Sequence, residues 1–394
     1  MSEIASAPAR RLPRAAPDGL IASVLLAFLA TAGLFYVNIM AAIVAGVADG
    51  LHATQQEAGW VGSANMYGAA LGALCAVFLV RRLPWRRFAV TALIALIVID
   101  LASSLITSIH LLIGVRFLHG LIGGALVGVS YGVVSRTKSP DRVFGMVLAV
   151  QFGLGGLGVM VLPPLAPIYG TQALFYSLAA FSFVALLMLP FLDDYPPHRE
   201  ANEGAAATKI RWTPLLATLV AVFLFQAGNM ALAAYIIGLG RAFGLQTDFI
   251  SSALGWATWI GIAGCLLVIV LGVRFGRAKL MAASMLLTLA GCYAFHWSGN
   301  GLVFFAANVG TSITWSFVIS YLLGMSAAFD RAGRTAAMAG FASKMGLASG
   351  PMVGGLLIHG NDYAALINIS VLLLGASTFA MLYPAVLLDR DKNQ

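Results

Sequence analysis

Residues 193–212 read Asp193-Asp-Tyr-Pro-Pro-His-Arg-Glu-Ala-Asn-Glu-Gly-Ala-Ala-Ala-Thr-Lys-Ile-Arg-Trp212. This is the longest polar stretch in the chain, with prolines, charges of both signs and an Ala/Gly-rich middle. Its composition is that of a solvated linker. On each side lie six apolar runs long enough to cross a bilayer, which takes about 20 residues as a helix. On the N-terminal side they are Leu20–Val47, Glu57–Val80, Phe88–Ser108, Leu111–Ser135, Val143–Pro163 and Thr171–Leu192. On the C-terminal side they are Thr213–Leu239, Phe249–Val273, Ala278–Trp297, Gly301–Met325, Thr335–His359 and Tyr363–Leu388. The runs are continuously apolar, without the alternation of barrel strands, so helices are expected. The predicted units are residues 1–192, a linker at 193–212, and residues 213–394.

Composition agrees. Of 394 residues, 60% are hydrophobic and only 10% charged. Soluble domains carry about 25% charged residues. Too few ionisable groups remain to build a polar surface, which excludes a soluble enzyme, a nucleic-acid-binding protein and a disordered chain. The net charge of +8 arises from 23 Lys+Arg against 15 Asp+Glu. With twelve spans both termini share one side, and 20 of the 23 cations fall in the loops and termini of that side. Arg241 alone lies opposite, while Arg116 and Lys344 fall inside spans. This asymmetry predicts a bacterial inner-membrane protein with both termini cytoplasmic. The first run is too long for the apolar region of a cleaved signal peptide. Cys75, Cys265 and Cys292 lie in apolar runs without a ligand partner, so no metal site and no cofactor is expected. No nucleotide-binding GxxxxGK[ST], HExxH or GxSxG sequence is present.

The halves resemble each other at an offset of about 193 residues. Val80-Arg81-Arg82-Leu83-Pro84-Trp85-Arg86-Arg87 follows the second span, and Val273-Arg274-Phe275-Gly276-Arg277-Ala278-Lys279 follows the eighth. Gly153-Leu-Gly-Gly-Leu-Gly158 in the fifth span aligns with Gly346-Leu-Ala-Ser-Gly-Pro351 in the eleventh. Repeated halves are a feature of transporter folds.

On these residues the chain resembles the major facilitator superfamily. Arg274-Phe275-Gly276-Arg277 matches that family's D-R-x-G-R loop, with Val273 in place of the aspartate. Arg116, followed four residues later by Gly120, resembles its fourth-span motif. The fifth-span glycines resemble the antiporter motif of its exporters, although proline comes only at Pro163. The resemblance implies an all-α membrane fold: two six-helix bundles related by a pseudo-two-fold axis, around a cavity that opens alternately to either side. It also implies that spans one, four, seven and ten line the cavity. The second, fifth, eighth and eleventh would frame the bundle interface. Arg81, Arg82, Arg274, Gly276 and Arg277 would then lock one state.

A charge in mid-bilayer costs about 2.5–3.5 kcal/mol on insertion scales, so each one needs a reason. Three qualify: Asp100, Arg116 and Lys344. At 1.5 Å per helical residue, Asp100 and Arg116 lie roughly 12 and 9 Å below the outer surface, on consecutive spans. They can pair, either as a structural bridge or as a proton-driven switch. His119 shares the Arg116 face and is a second candidate for coupling. Lys344 is central in the eleventh span, too deep to reach either surface, and the repeat aligns it with Gln151. Arg116 plus Lys344 minus Asp100 leaves one positive charge, which a substrate carboxylate would neutralise, held by Lys344 with Arg116 as a second anchor or part of the switch and Gln151 as a further candidate contact. Because the family's cavity spans carry them, Tyr36, Asn38, Gln226, Asn229, Tyr235, Asn308 and Trp315 are further candidate substrate contacts. Interhelical hydrogen bonds explain the same residues equally well. The expected function is proton-coupled secondary transport of a small organic anion by a monomer in the lipid bilayer. Efflux of neutral or amphipathic compounds is the alternative, and an intramembrane enzyme or a non-transporting receptor stands further off.

Overall fold

A computed structural model describes residues 14–79, 84–196, 211–272, 274–329 and 334–392. Among these the secondary structure is helical, with no strand longer than an isolated bridge between His359 and Asp362. The helices are α1 (Leu20–Ala32), α2 (Phe35–Asn38), α3 (Met40–Gly50), α4 (Gln55–Leu79), α5 (Trp85–Ser103), α6 (Ile109–Val134) and α7 (Pro140–Tyr169). They continue with α8 (Gln172–Met188), α9 (Trp212–Ala242), α10 (Thr247–Leu271), α11 (Arg277–Ala294), α12 (Gly301–Ala328), α13 (Arg334–Leu356) and α14 (Ala364–Lys392). Each expected span has its counterpart, and α1, α2 and α3 together make the first.

Two expectations about helix continuity are corrected. The first span is broken at Gly33-Leu34 and at Ile39. A Cβ on Gly33 would collide with the Gly123 carbonyl oxygen, so α6 touches the backbone where the helix interrupts. Glycine, with no Cβ, is the residue that admits the contact. The fifth span does not end at Pro163. It runs through Pro163, Pro164 and Pro167 to Tyr169, and stops at Gly170, which has φ +65°. Neighbouring helices in a membrane bundle tolerate such prolines.

The two halves pack alike. In the first, α4 lies on α6, α1 on α7, and α5 on α8. In the second, α10 lies on α12, α9 on α13, and α11 on α14. The α4–α6 contact is a backbone-to-backbone one. A Cβ on Gly68 would collide with the Phe117 carbonyl oxygen, and one on Gly120 with that of Asn65. Lipid supplies no hydrophobic drive between helices, so small residues that admit such close approach take over. Large apolar side chains face outward instead: Leu105, Ile269 and Phe379 are 77%, 78% and 79% exposed. The halves meet through α4–α13, α7–α10 and α3–α9.

The interface is tied at the end away from the termini. There Arg241 Nη1 of α9 donates to Asp49 Oδ2 of α3 at 2.6 Å. The Tyr235 hydroxyl sits 2.6 Å from the Pro351 carbonyl and 3.0 Å from that of Gln55, spanning both halves. At the end bearing the termini, the ion pairs among the described residues stay within one half: Arg14 with Asp193 and Asp194, and Arg211 with Asp391. The Asp194 N–H and Arg14 hold the Asp193 carboxyl below its usual range.

Candidate substrate site

The three intramembrane charges separate into two environments. Asp100 and Arg116 do pair: Arg116 Nη1 donates to Asp100 Oδ1 at 2.8 Å, and both side chains are wholly buried. Arg116 Nη2 also donates to the Ser103 hydroxyl and to the Ile99 carbonyl, and the guanidinium lies 4.9 Å from the Phe175 ring centroid. His119 Nε2 is 3.3 Å from Asp100 Oδ1, and its Nδ1 is 2.8 Å from Asn65 Nδ2. The same Asn65 nitrogen donates to the Arg116 carbonyl at 3.1 Å. A carbonyl can only accept, so Asn65 presents its NH2 here and His119 Nδ1 accepts from it. The imidazole proton is therefore on Nε2, directed at Asp100. In this arrangement His119 is neutral and both its nitrogens are used.

This cluster corrects part of the expected substrate set. Arg116 is enclosed by α5, α6 and α8 and does not line the cavity between the halves. Tyr36 is buried beside it, 6.0 Å from the His119 ring, with its hydroxyl 3.5 Å from the Val61 carbonyl. Tyr235 belongs to the closed end described above. Gln226 works behind the wall: it accepts from Trp315 Nε1 and donates to Ser343 Oγ, both at 2.8 Å, joining α9, α12 and α13.

The cavity itself has a volume of about 280 Å³ and lies between the halves. Asn38, Gln151, Asn229, Asn308 and Trp315 all line it. Phe152, Leu254, Thr258 and Thr311 stand beside them, with Phe152 and Trp315 edge to face at 6.4 Å between centroids. Sequence reasoning misses Phe152 and Thr258 as site residues, because an apolar run carries no mark of which face looks inward. Among the described residues the lining contains no charged side chain.

Lys344 is the eleventh residue of α13 and is only partly buried. It is not in the cavity wall. Leu347 is, one turn further along the same face. Among the described residues no acid reaches ion-pair distance of Lys344.

A family model described as the Major Facilitator Superfamily matches residues 23–268, from the first span into the eighth. The chain belongs to the Major Facilitator Superfamily. It is 24% identical over 169 residues to NiaP of Bacillus subtilis (strain 168), a protein named as a putative niacin/nicotinamide transporter. That match spans 42% of this chain and 42% of NiaP. Among solved structures, a point mutant of the nucleoside transporter NupG superposes with a TM-score of 0.70 at 12% identity, covering 92% of this chain and 98% of that one. Such an identity speaks for the fold alone. A superfamily of transporters, with a cavity between two alike halves, accounts for the chain without any enzymatic chemistry.

The resemblance implies that the loop arginines lock one state. Arg81 and Arg82 lie outside the described residues. Arg274 and Arg277 form no ion pair across the halves among the described residues. Instead Asp389 of α14 caps α11, accepting from the Arg277 and Ala278 N–H groups at 2.8 and 2.9 Å. An acid from the last span thus sits at the loop whose own aspartate position is occupied by Val273. Gly276 precedes this cap with φ +78°, and a Cβ there would stand 2.9 Å from Asp389 Oδ2. The cap and the backbone conformation both require glycine.

Proposed function

We propose that the chain is a secondary transporter that carries a small planar organic anion by alternating access, with Lys344 as the carboxylate-binding cation. One observation carries this reading: a partly exposed lysine at mid-span, one turn from the cavity wall, with no described acid beside it. An unpaired cation at that depth is stabilised by an anion that comes and goes. The flat apolar and aromatic surfaces of Phe152, Leu254 and Trp315 suit a ring. The partial likeness to a protein named for niacin/nicotinamide transport points the same way. The cation asymmetry orients the termini to the cytoplasm of a bacterial inner membrane. In that orientation the state described here is closed on the outside. Protons are the proposed energy source, with Asp100 as the acceptor, because its Oδ2 is buried without a hydrogen-bond partner among the described residues.

The test is uptake of labelled benzoate and nicotinate into proteoliposomes. Lys344→Gln lowers uptake at least about tenfold, the loss expected for one charge-assisted contact, and Lys344→Arg retains part of it. Equal uptake by Lys344→Gln and wild type overturns the carboxylate assignment. Unchanged accumulation after the pH gradient is collapsed overturns proton coupling. A second reading, transport of neutral amphipathic compounds, draws on the uncharged cavity wall. It is favoured if nicotinamide competes as well as nicotinate.

A further inference from the structure

In the C-terminal half of the cavity wall, the threonines, asparagines and tryptophan have already used most of their hydrogens. Thr258 Oγ1 donates to the Leu254 carbonyl at 2.8 Å, and Thr311 Oγ1 to that of Ala307 at 2.7 Å. Asn229 Nδ2 donates to the Phe225 carbonyl and Asn308 Nδ2 to that of Phe304, both at 2.8 Å. Each bond reaches one turn back along its own helix, the usual local alternative for these residue types. The Trp315 N–H is spent on Gln226 Oε1 at 2.8 Å. Each asparagine keeps one N–H. Ser312 also lines the wall, and its hydroxyl, in no described hydrogen bond, can donate or accept. What the C-terminal half otherwise offers a ligand is oxygen lone pairs, on Asn229 Oδ1, Asn308 Oδ1, Thr258 Oγ1 and Thr311 Oγ1, none of which accepts a described hydrogen bond. Three helices, α9, α10 and α12, contribute to this set.

A carboxylate is disfavoured against a field of oxygens, so it belongs at the Lys344 side. The other end of the solute must bring hydrogens. We propose that the solute is an aromatic carboxylate bearing an amino or hydroxyl group on the ring, whose N–H or O–H is read by the oxygens of Asn229, Asn308, Thr258 and Thr311. The carboxylate half rests on the function proposed above. The donor half rests on the hydrogen-bond inventory of the wall. A ring without donors covers these oxygens and leaves them unpaired, at a loss of roughly fivefold or more in affinity for each.

The experiment is binding calorimetry on the full-length protein in lipid nanodiscs. The probes are benzoate, its 3- and 4-amino, 3- and 4-hydroxy and 3- and 4-nitro derivatives, and 4-aminobenzamide. The expected result is that at least one amino or hydroxy acid binds about fivefold or more tightly than benzoate, while the nitro acids, which bring only acceptors, gain nothing. The wild-type series decides the matter without any variant. Benzoate or a nitrobenzoate binding as tightly as the best amino or hydroxy acid overturns the donor proposal and leaves the anion reading standing. If 4-aminobenzamide matches 4-aminobenzoate and both exceed benzoate, the donor proposal holds and the carboxylate assignment of Lys344 fails. Asn308→Leu and Thr258→Val are expected to move the amino-to-unsubstituted affinity ratio toward one. A ratio unchanged in both variants and in Asn229→Leu and Thr311→Val overturns the assignment to these oxygens.

Discussion

The Asp100–Arg116–His119 cluster in the first half and Lys344 in the second are both intramembrane charge sites, and they are solved in opposite ways. Arg116 is fully buried and held by a carboxylate, a hydroxyl, a carbonyl and an aromatic face. Lys344 is partly exposed, beside the cavity, with no described acid. On the function proposed above, the difference separates a charge that joins helices from one that meets a ligand. Charges paired with each other and sealed among α5, α6 and α8 keep those helices in one register, with Asp100 Oδ2 alone of the carboxylate left over. An unsatisfied cation is stable only where water or a substrate reaches it.

Four measurements break or sharpen this contrast. The largest effect is expected for Arg116→Leu, which strands Asp100 in the interior and lowers stability by about 3–5 kcal/mol. The double replacement Asp100→Leu with Arg116→Leu recovers most of it, as read by denaturant unfolding in detergent. A double variant no better than the single one removes the joint from the account. Next comes Asn65→Leu, which takes the donor from both His119 Nδ1 and the Arg116 carbonyl. It lowers stability by about 1–3 kcal/mol. It also frees the His119 tautomer, visible as a shifted imidazole nitrogen resonance, and an unshifted resonance contradicts the Nε2–H assignment. Asp49→Asn weakens the pair with Arg241 at the closed end. Because that pair is part-exposed, the change is at most about 1 kcal/mol. It is read as a longer spin-label distance distribution between the outer ends of α3 and α9, and an unaltered distribution refutes a latch. The smallest is Lys344→Met, for which stability stays within about 1 kcal/mol of wild type or rises, since a partly exposed cation with no described acid beside it contributes nothing to folding. A loss like that of Arg116→Leu makes the two regions alike and ends the comparison.

Much of the fold was legible because the bilayer imposes strong rules on sequence. Span length, apolar continuity and the sorting of cations are each one-dimensional signals. The pairing of Asp100 with Arg116 was also within reach, since their spans are consecutive and their depths similar. Of the site, Asn38, Gln151, Asn229, Asn308 and Trp315 were recognisable as polar groups on cavity or interface spans. Tyr36 was placed there for the same reason, and Arg116 as an intramembrane cation, and both belong instead to the interior of one half. Helical facing decides between these outcomes, and in an almost wholly apolar sequence nothing marks one face of a span from another. The break of the first span at Gly33 and the run of the fifth through three prolines were equally hidden. Each depends on what a neighbouring helix does at that height.

By itself, the sequence determined that this is a helical membrane protein of two repeated six-span halves with its cations gathered at one end. Those properties follow from how each segment partitions between water and lipid, a matter local to the segment. Only the tertiary structure decided that Arg116 is enclosed, that Lys344 is left beside the cavity, that Asp389 caps α11, and that Asp49 meets Arg241. Residues far apart in sequence make those contacts, and close packing of neighbouring helices selects which side chains are covered and which remain for a ligand.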